Sequence, residues 1–210
     1  MREPPDRQGQ MTGPWMGQVA RSELILGGQK SGKSRRAENL AGEWLASSSH
    51  HRAVLIATAQ PWDDEMRARI ARHQSDRAAR APGLATVEEP LALADALIQY
   101  SHPDTLVVVD CLTLWLTNLL MPAPAQEFQE KESFVDITTA QSATLLIAIE
   151  TAPGPVVLVG NEIGLGVIPL GRETRAFVDA LGLLNQSVAQ VCQRVTLMAA
   201  GLPLTLKGAP

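Results

Sequence analysis

Gly27, Gly32, Lys33 and Ser34 stand at the fixed positions of G-x-x-x-x-G-K-[ST], inside the run Leu24-Ile25-Leu26-Gly27-Gly28-Gln29-Lys30-Ser31-Gly32-Lys33-Ser34. That spacing is suited to polyphosphate. The glycines let successive backbone N–H groups turn inward as an anion cradle. Lys33 adds a positive charge for the β- and γ-phosphates, and the Ser34 hydroxyl is placed to ligate Mg²⁺. Ala37, Leu40, Ala41, Trp44 and Leu45 follow at three- and four-residue steps, the mark of a helix with one buried face. The loop therefore ends at a helix N-terminus, where the macrodipole also favours phosphate. A glycine-rich turn matching by chance would lack this strand, loop and helix context.

Three further groups could act beside the loop. Asp110 closes the apolar run Leu106-Val107-Val108-Val109, as expected of an acidic residue that holds Mg²⁺; the alternative is a cap for the helix that follows. In Asp63-Asp64-Glu65-Met66-Arg67-Ala68-Arg69-Ile70-Ala71-Arg72-His73, a helix puts Glu65, Arg69 and His73 on one face and points Met66 and Ile70 to the core. His73 then has two readings. It is either a helix-terminal histidine that suits the dipole, or a neutral imidazole able to attack an activated phosphorus and form a phosphoramidate. Asn161-Glu162-Ile163-Gly164-Leu165-Gly166 follows another apolar run and reads either as a ligand-contacting loop or as a polar turn. Arg172 and Arg175 open a helix, where positive charge opposes the dipole and hints at an anion. Thr117-Asn118 and Asn185-Gln186, on otherwise apolar helices, read as satisfied buried amides or interface groups.

The elements that must carry these groups alternate. Strands are expected at 22–27, 53–58, 105–110, 155–160 and 194–199, with a short one at 85–87 and an edge strand at 202–206. Helices are expected at 33–48, 63–73, 90–100, 113–120, 134–151 and 172–192. Continuous apolar strands imply burial on both faces of a mainly parallel sheet, hence a three-layer α/β domain of the P-loop NTPase type with ligands at the carboxyl ends of the strands. Residues 21–210 form this domain, and 1–20 read as a disordered extension or a misassigned start with no apolar signal segment. Met121–Glu132 reads as an exposed loop. The chain has 210 residues, 45% of them apolar and 19% charged, and a formal charge of −4. Those values suit a soluble cytoplasmic protein without a membrane span and without an electrostatic footprint for nucleic acid. Cys111 and Cys192 can build neither a disulfide framework nor a four-ligand zinc site, and Cys111 reads as a reduced core thiol.

In order along the chain, GGQKSGKS at 27–34, IATAQ at 56–60, DDEMRARIARH at 63–73, TVEEP at 86–90, DCLTLWLTNLL at 110–120, NEIGLGVIP at 161–169 and LNQ at 184–186 resemble the bifunctional adenosylcobinamide kinase / adenosylcobinamide-phosphate guanylyltransferase family. The resemblance runs from about Glu23 to Lys207. It implies phosphorylation of adenosylcobinamide by ATP or GTP, then transfer of GMP from GTP to adenosylcobinamide phosphate through a guanylylated histidine. On this chain the resemblance puts that histidine at His73. It puts the phosphate contacts on Gly27, Gly28, Gln29, Lys30, Ser31, Gly32, Lys33 and Ser34, and further nucleotide contacts on Ala57, Thr58, Ala59, Glu88 and Asp110. It also implies Mg²⁺ and a homo-oligomer, a trimer. After His73 the chain is about three residues longer than the family pattern, with Leu84 where tryptophan is common, so either Arg77 or Arg80 supplies the family's arginine. Gly160 and Val178 also depart from usual family residues. Without the resemblance, a phosphate-loop kinase lacking guanylyl transfer and a nucleotide-dependent regulatory ATPase both fit the loop.

Overall fold

A short run of β-branched residues that is apolar on both faces, with its backbone amides satisfied by neighbours, suits a strand inside a sheet. Val107, Val108, Val109, Val156, Val157 and Leu158 are all fully buried. In the computed structural model, which describes residues 19–120 and 134–209, seven strands form one sheet in the order β3-β2-β4-β5-β1-β6-β7. The strands are β1 (Ser22–Gly27), β2 (Arg52–Ala57), β3 (Leu84–Glu88), β4 (Thr105–Asp110), β5 (Val156–Asn161), β6 (Arg194–Ala199) and β7 (Leu202–Lys207). All pairings are parallel except β6 with β7, where the chain turns back at Ala200-Gly201 to close the edge.

The helices are α1 (Lys33–Ser47), α2 (Asp64–Arg80), α3 (Leu93–Tyr100), α4 (Leu112–Leu120), α5 (Phe134–Thr151) and α6 (Arg172–Val191). Alternation along β1 divides the core. Leu24 and Leu26 face Leu97, Trp115, Leu145 and Leu184 of α3 to α6. Ile25 faces Ala37, Leu40, Ala41 and Trp44 of α1 on the opposite side. Three layers result, as the sequence implies. The strand and helix boundaries agree with expectation to within a residue or two, with two exceptions. The helix expected from 90 begins at Leu93, because the Glu89 carboxylate accepts from the amides of Leu91 and Ala92 at 3.0 and 2.8 Å and holds a turn there. The helix expected to stop at 73 continues to Arg80. Most of the expected N-terminal extension and the whole expected loop Met121–Glu132 lie outside the described residues. Among the described residues no helix is long and apolar enough to cross a membrane.

Candidate active site

Because the six parallel strands share a direction, their carboxyl ends meet at one edge. Gly27, Ala57, Glu88, Asp110 and Asn161 all end strands there. One strand, β5, separates β1 from β4, so the phosphate loop and Asp110 sit about two strand spacings, roughly 10 Å, apart. Between them opens a cavity of about 780 Å³.

Gly32 precedes α1 with a left-handed φ of 100° and gives no side-chain cap, which leaves the first amides of α1 turned to the cavity. Gly27 sits buried at the base of the loop, where an added Cβ would lie 2.5 Å from the Met198 carbonyl oxygen and 2.6 Å from Ser31 Oγ. The Lys33 ammonium donates to the Gly28 carbonyl at 2.7 Å. Ser31 Oγ is buried without a hydrogen-bond partner although it borders the cavity. An uncapped helix start and an orphaned buried hydroxyl in one cradle fit the oxygens of a phosphate. Gln29, Lys30, Gly32 and Ser34 border the same space.

On the far wall, Asp110 borders the cavity, and its carboxylate makes no hydrogen bond with the described residues, so it does not cap α4. Thr58 is different from expectation. It is fully buried; its hydroxyl donates to the Cys111 carbonyl at 2.7 Å and accepts from the Cys111 amide at 2.8 Å. Its own amide donates to the Asp110 carbonyl, and its carbonyl accepts from Asn118 Nδ2 at 2.8 Å. With its hydroxyl, amide and carbonyl all bonded within the fold, Thr58 is not among the residues that border the cavity; it braces the chain that presents Asp110. Ala57 and Ala59, on either side, do border the cavity. Asn118 is the satisfied buried amide expected, bonding the Pro90 carbonyl as well. Asn185 bonds the Asn161 carbonyl at 3.0 Å while Thr113 accepts from the Asn161 amide at 2.9 Å, which fixes Asn161 at the cavity wall. The Arg175 guanidinium holds the carbonyls of Pro169 and Leu170. Cys111 is free and buried, in keeping with the reduced core thiol expected, and burial pushes its thiol up to about 11, aided by the charge of Asp110.

The third wall is α2. Asp63 caps it, accepting from the Met66 amide at 2.7 Å; Asp64 and Glu65 fill the first turn, and Arg77 and Arg80 the last. Both ends therefore suit the dipole, and nothing breaks the helix before Pro82-Gly83. His73 consequently lies inside the helix and not at its end, which removes the dipole explanation for it. His73 borders the cavity. So do Met66 and Ile70, which are half-buried cavity wall and not core as their spacing implied. Arg77 and Arg80 both border it too, as does Thr86, whose hydroxyl accepts from Arg77 at 2.9 Å. Thr86 escaped the sequence reading because its partner is brought to it only by the longer helix.

The family model described as cobinamide kinase / cobinamide phosphate guanyltransferase matches residues 23–206. The chain belongs to this family. Among relatives of the cobinamide kinase / guanyltransferase, the bifunctional adenosylcobalamin biosynthesis protein CobP of Pseudomonas aeruginosa is 47% identical over 90% of this chain and 98% of its own length. The bifunctional adenosylcobalamin biosynthesis protein CobU of Escherichia coli is 34% identical over 88% of this chain and 98% of its own. CobU of Salmonella typhimurium is likewise 34% identical over the same shares. Among solved structures, flagellar accessory protein FlaH from Methanocaldococcus jannaschii aligns with a TM-score of 0.47 and 11% identity, covering 90% of this chain and 80% of that one. Family membership gives the cavity its context: a cobinamide kinase / guanyltransferase chain has its phosphate loop, Asp110, Glu88 and His73 around a single space.

Proposed function

We propose that the protein phosphorylates adenosylcobinamide with ATP or GTP, then transfers GMP from GTP to adenosylcobinamide phosphate through a guanylyl group on His73, yielding adenosylcobinamide-GDP for cobalamin biosynthesis. The observation that carries this reading is that the phosphate cradle and His73 border the same cavity. In the kinase reaction the α1 amides, Ser31 Oγ and Lys33 hold the β- and γ-phosphates. The aminopropanol hydroxyl oxygen bonds to the γ-phosphorus as the bond to the β–γ bridging oxygen breaks, the nucleoside diphosphate leaves and the hydroxyl proton is released to solvent. In the second reaction a ring nitrogen of His73 bonds to the α-phosphorus of GTP, and pyrophosphate leaves with the bridging oxygen. The phosphate oxygen of the corrinoid then takes the guanylyl group, breaking the N–P bond and freeing the imidazole.

Ser34 and Asp110 offer two hard oxygen donors, a number that suits Mg²⁺ when phosphates and water complete its shell. Bound there, Mg²⁺ would neutralise charge on the transferring phosphates. Gln29, Lys30, Ala57, Ala59 and Glu88 are assigned to the nucleotide, and the arginine contact to Arg77 or Arg80. Residues 21–210 act as one nucleotide-binding domain in the cytoplasm. A homo-oligomer, a trimer, is part of the proposal: Leu165, Val167 and Leu170 stand 81–98% exposed in one segment, as a surface awaiting a partner would. A monomeric mass by sedimentation equilibrium would remove that part.

The deciding experiment is incubation with Mg²⁺ and α-³²P-GTP, beside a His73→Ala variant, followed by denaturing electrophoresis. Acid-labile label on wild type and none on the variant is expected. An unlabelled wild type that still phosphorylates adenosylcobinamide would reduce the activity to a kinase.

A further inference from the structure

Helix α2 carries His73, yet it lacks what usually fixes a helix. Among its side chains whose burial is described, none that is apolar is buried; Arg77 alone is, at 7% exposed. The contact that docks α2 is electrostatic. Glu38 of α1 is 1% exposed, and its Oε2 accepts from Arg80 Nη1 at 2.7 Å. Its Oε1 lies 3.9 Å from Arg77 Nε, and neither atom has a hydrogen-bond partner. Arg80 also reaches Asp76 at 3.1 Å, and its guanidinium is held above its usual range, first by the hydrogen bond to Glu38.

The spacing gives this link a consequence. His73, Arg77 and Arg80 are at i, i+4 and i+7, one face of one helix. Glu38 is four residues beyond Ser34 on the helix whose first turn forms the phosphate cradle. A single carboxylate thus ties the histidine-bearing helix to the cradle-bearing helix. A slip of one residue along α2 would turn His73 by about 100° and move it about 1.5 Å along the axis, away from the cavity. A buried ion pair is weak evidence for stability, and a well-packed apolar residue often serves stability as well; setting register is the best-attested use of such a pair.

We propose that Glu38 is a positioning residue for His73, holding α2 through Arg80 and Arg77 in the register that presents the imidazole to the nucleotide cavity. This rests on the guanylyl-histidine reading above and specifies how the histidine is aimed. Glu38 touches no reacting atom, so its loss should separate the two activities.

The test measures, on one preparation each of wild type, Glu38→Gln, Arg80→Gln and the double variant, the single-turnover rate of labelling from saturating α-³²P-GTP. GTP dissociation, phosphorylation of adenosylcobinamide from γ-³²P-ATP and thermal unfolding are read in parallel. Misplacement by an ångström costs roughly a hundredfold in rate, so labelling by Glu38→Gln should fall by about that factor while phosphorylation falls far less. Because both residues act through one link, the double variant should label no more slowly than the slower single one. Should Glu38→Gln not fold, Glu38→Asp, which keeps the charge but shortens its reach to Arg80, tests the same link. The inference is overturned if wild type labels and the folded Glu38 variants label at its rate, or if their labelling and phosphorylation decline in parallel. An unlabelled wild type would instead overturn the guanylyl-histidine reading itself, and the inference with it.

Discussion

Replacing Thr58 by valine keeps the shape of the side chain and deletes one oxygen. That oxygen serves two buried backbone groups at once, the carbonyl of Cys111 at 2.7 Å and its amide at 2.8 Å. The amide would be left without a partner beside Asp110, while the carbonyl would keep the Trp115 amide, which donates to it at 3.1 Å. A buried polar group left unsatisfied costs about 1–3 kcal/mol, so Thr58→Val should lose about that much. In a domain of this size each kcal/mol moves the melting temperature by about 2–4 °C, giving a fall of about 2–12 °C. Thr58→Ser is the control. It keeps the oxygen and loses one methyl group, about 1 kcal/mol and about 2–4 °C. Thermal and urea unfolding followed by circular dichroism would read both, with nucleotide titration alongside. If Thr58 were instead a nucleotide contact, the valine variant would melt close to wild type and bind nucleotide weakly. Either that result, or a serine variant as unstable as the valine one, would refute the bracing role.

Gly27→Ala should lose about 1–3 kcal/mol of stability and most nucleotide binding, because the new Cβ meets a strand carbonyl at 2.5 Å that cannot swing aside. Gly28→Ala meets nothing within 4 Å and should change the melting temperature little; equal losses for the two would refute the steric argument. The thiols make a prediction about pH. Burial pushes Cys111 up to about 11 and Cys192 up to about 12, whereas unfolded thiols ionise near 8.5. Above that value the unfolded chain binds fewer protons than the native one, so stability is fully present below about pH 8.5 and is lost as pH rises toward 11–12. The slope is about 1.4 kcal/mol per pH unit for each thiol. Urea midpoints between pH 7.5 and 10.5 should fall more steeply for wild type than for Cys111→Ala/Cys192→Ala, and parallel lines would contradict the assignment.

Most of this fold is legible because its chemistry is local. A strand buried on both faces must read as an unbroken apolar run, and Leu106–Val109 and Val156–Val159 do. A phosphate loop must combine glycines, lysine and a hydroxyl within eight residues, and 27–34 do. What hides is whatever depends on a partner distant in sequence. Thr58 sits among residues expected to meet nucleotide, yet Cys111, 53 positions on, takes its hydroxyl inward. Asn161 is fixed by Thr113, 48 positions earlier, and by Asn185, 24 positions on, which its apolar helix marks as a buried amide without showing its partner.

Helix α2 is the sharpest case. Periodicity finds helices by the apolar face they bury, and this helix buries a guanidinium instead, so its last two turns read as a polar continuation. Its stop signal was present all the same, in Arg77 and Arg80 ahead of Pro82-Gly83. The partner those two arginines share is hidden from sequence, because Glu38 lies about forty residues upstream and is fully buried. A helix anchored by charge and bordered by a cavity can be set in one register without being packed into the core. Under the role proposed for His73, which meets a phosphorus on one substrate and hands it to another, that arrangement serves the chemistry: α1 packs the cradle against the sheet, and α2 is held to α1 at a buried carboxylate.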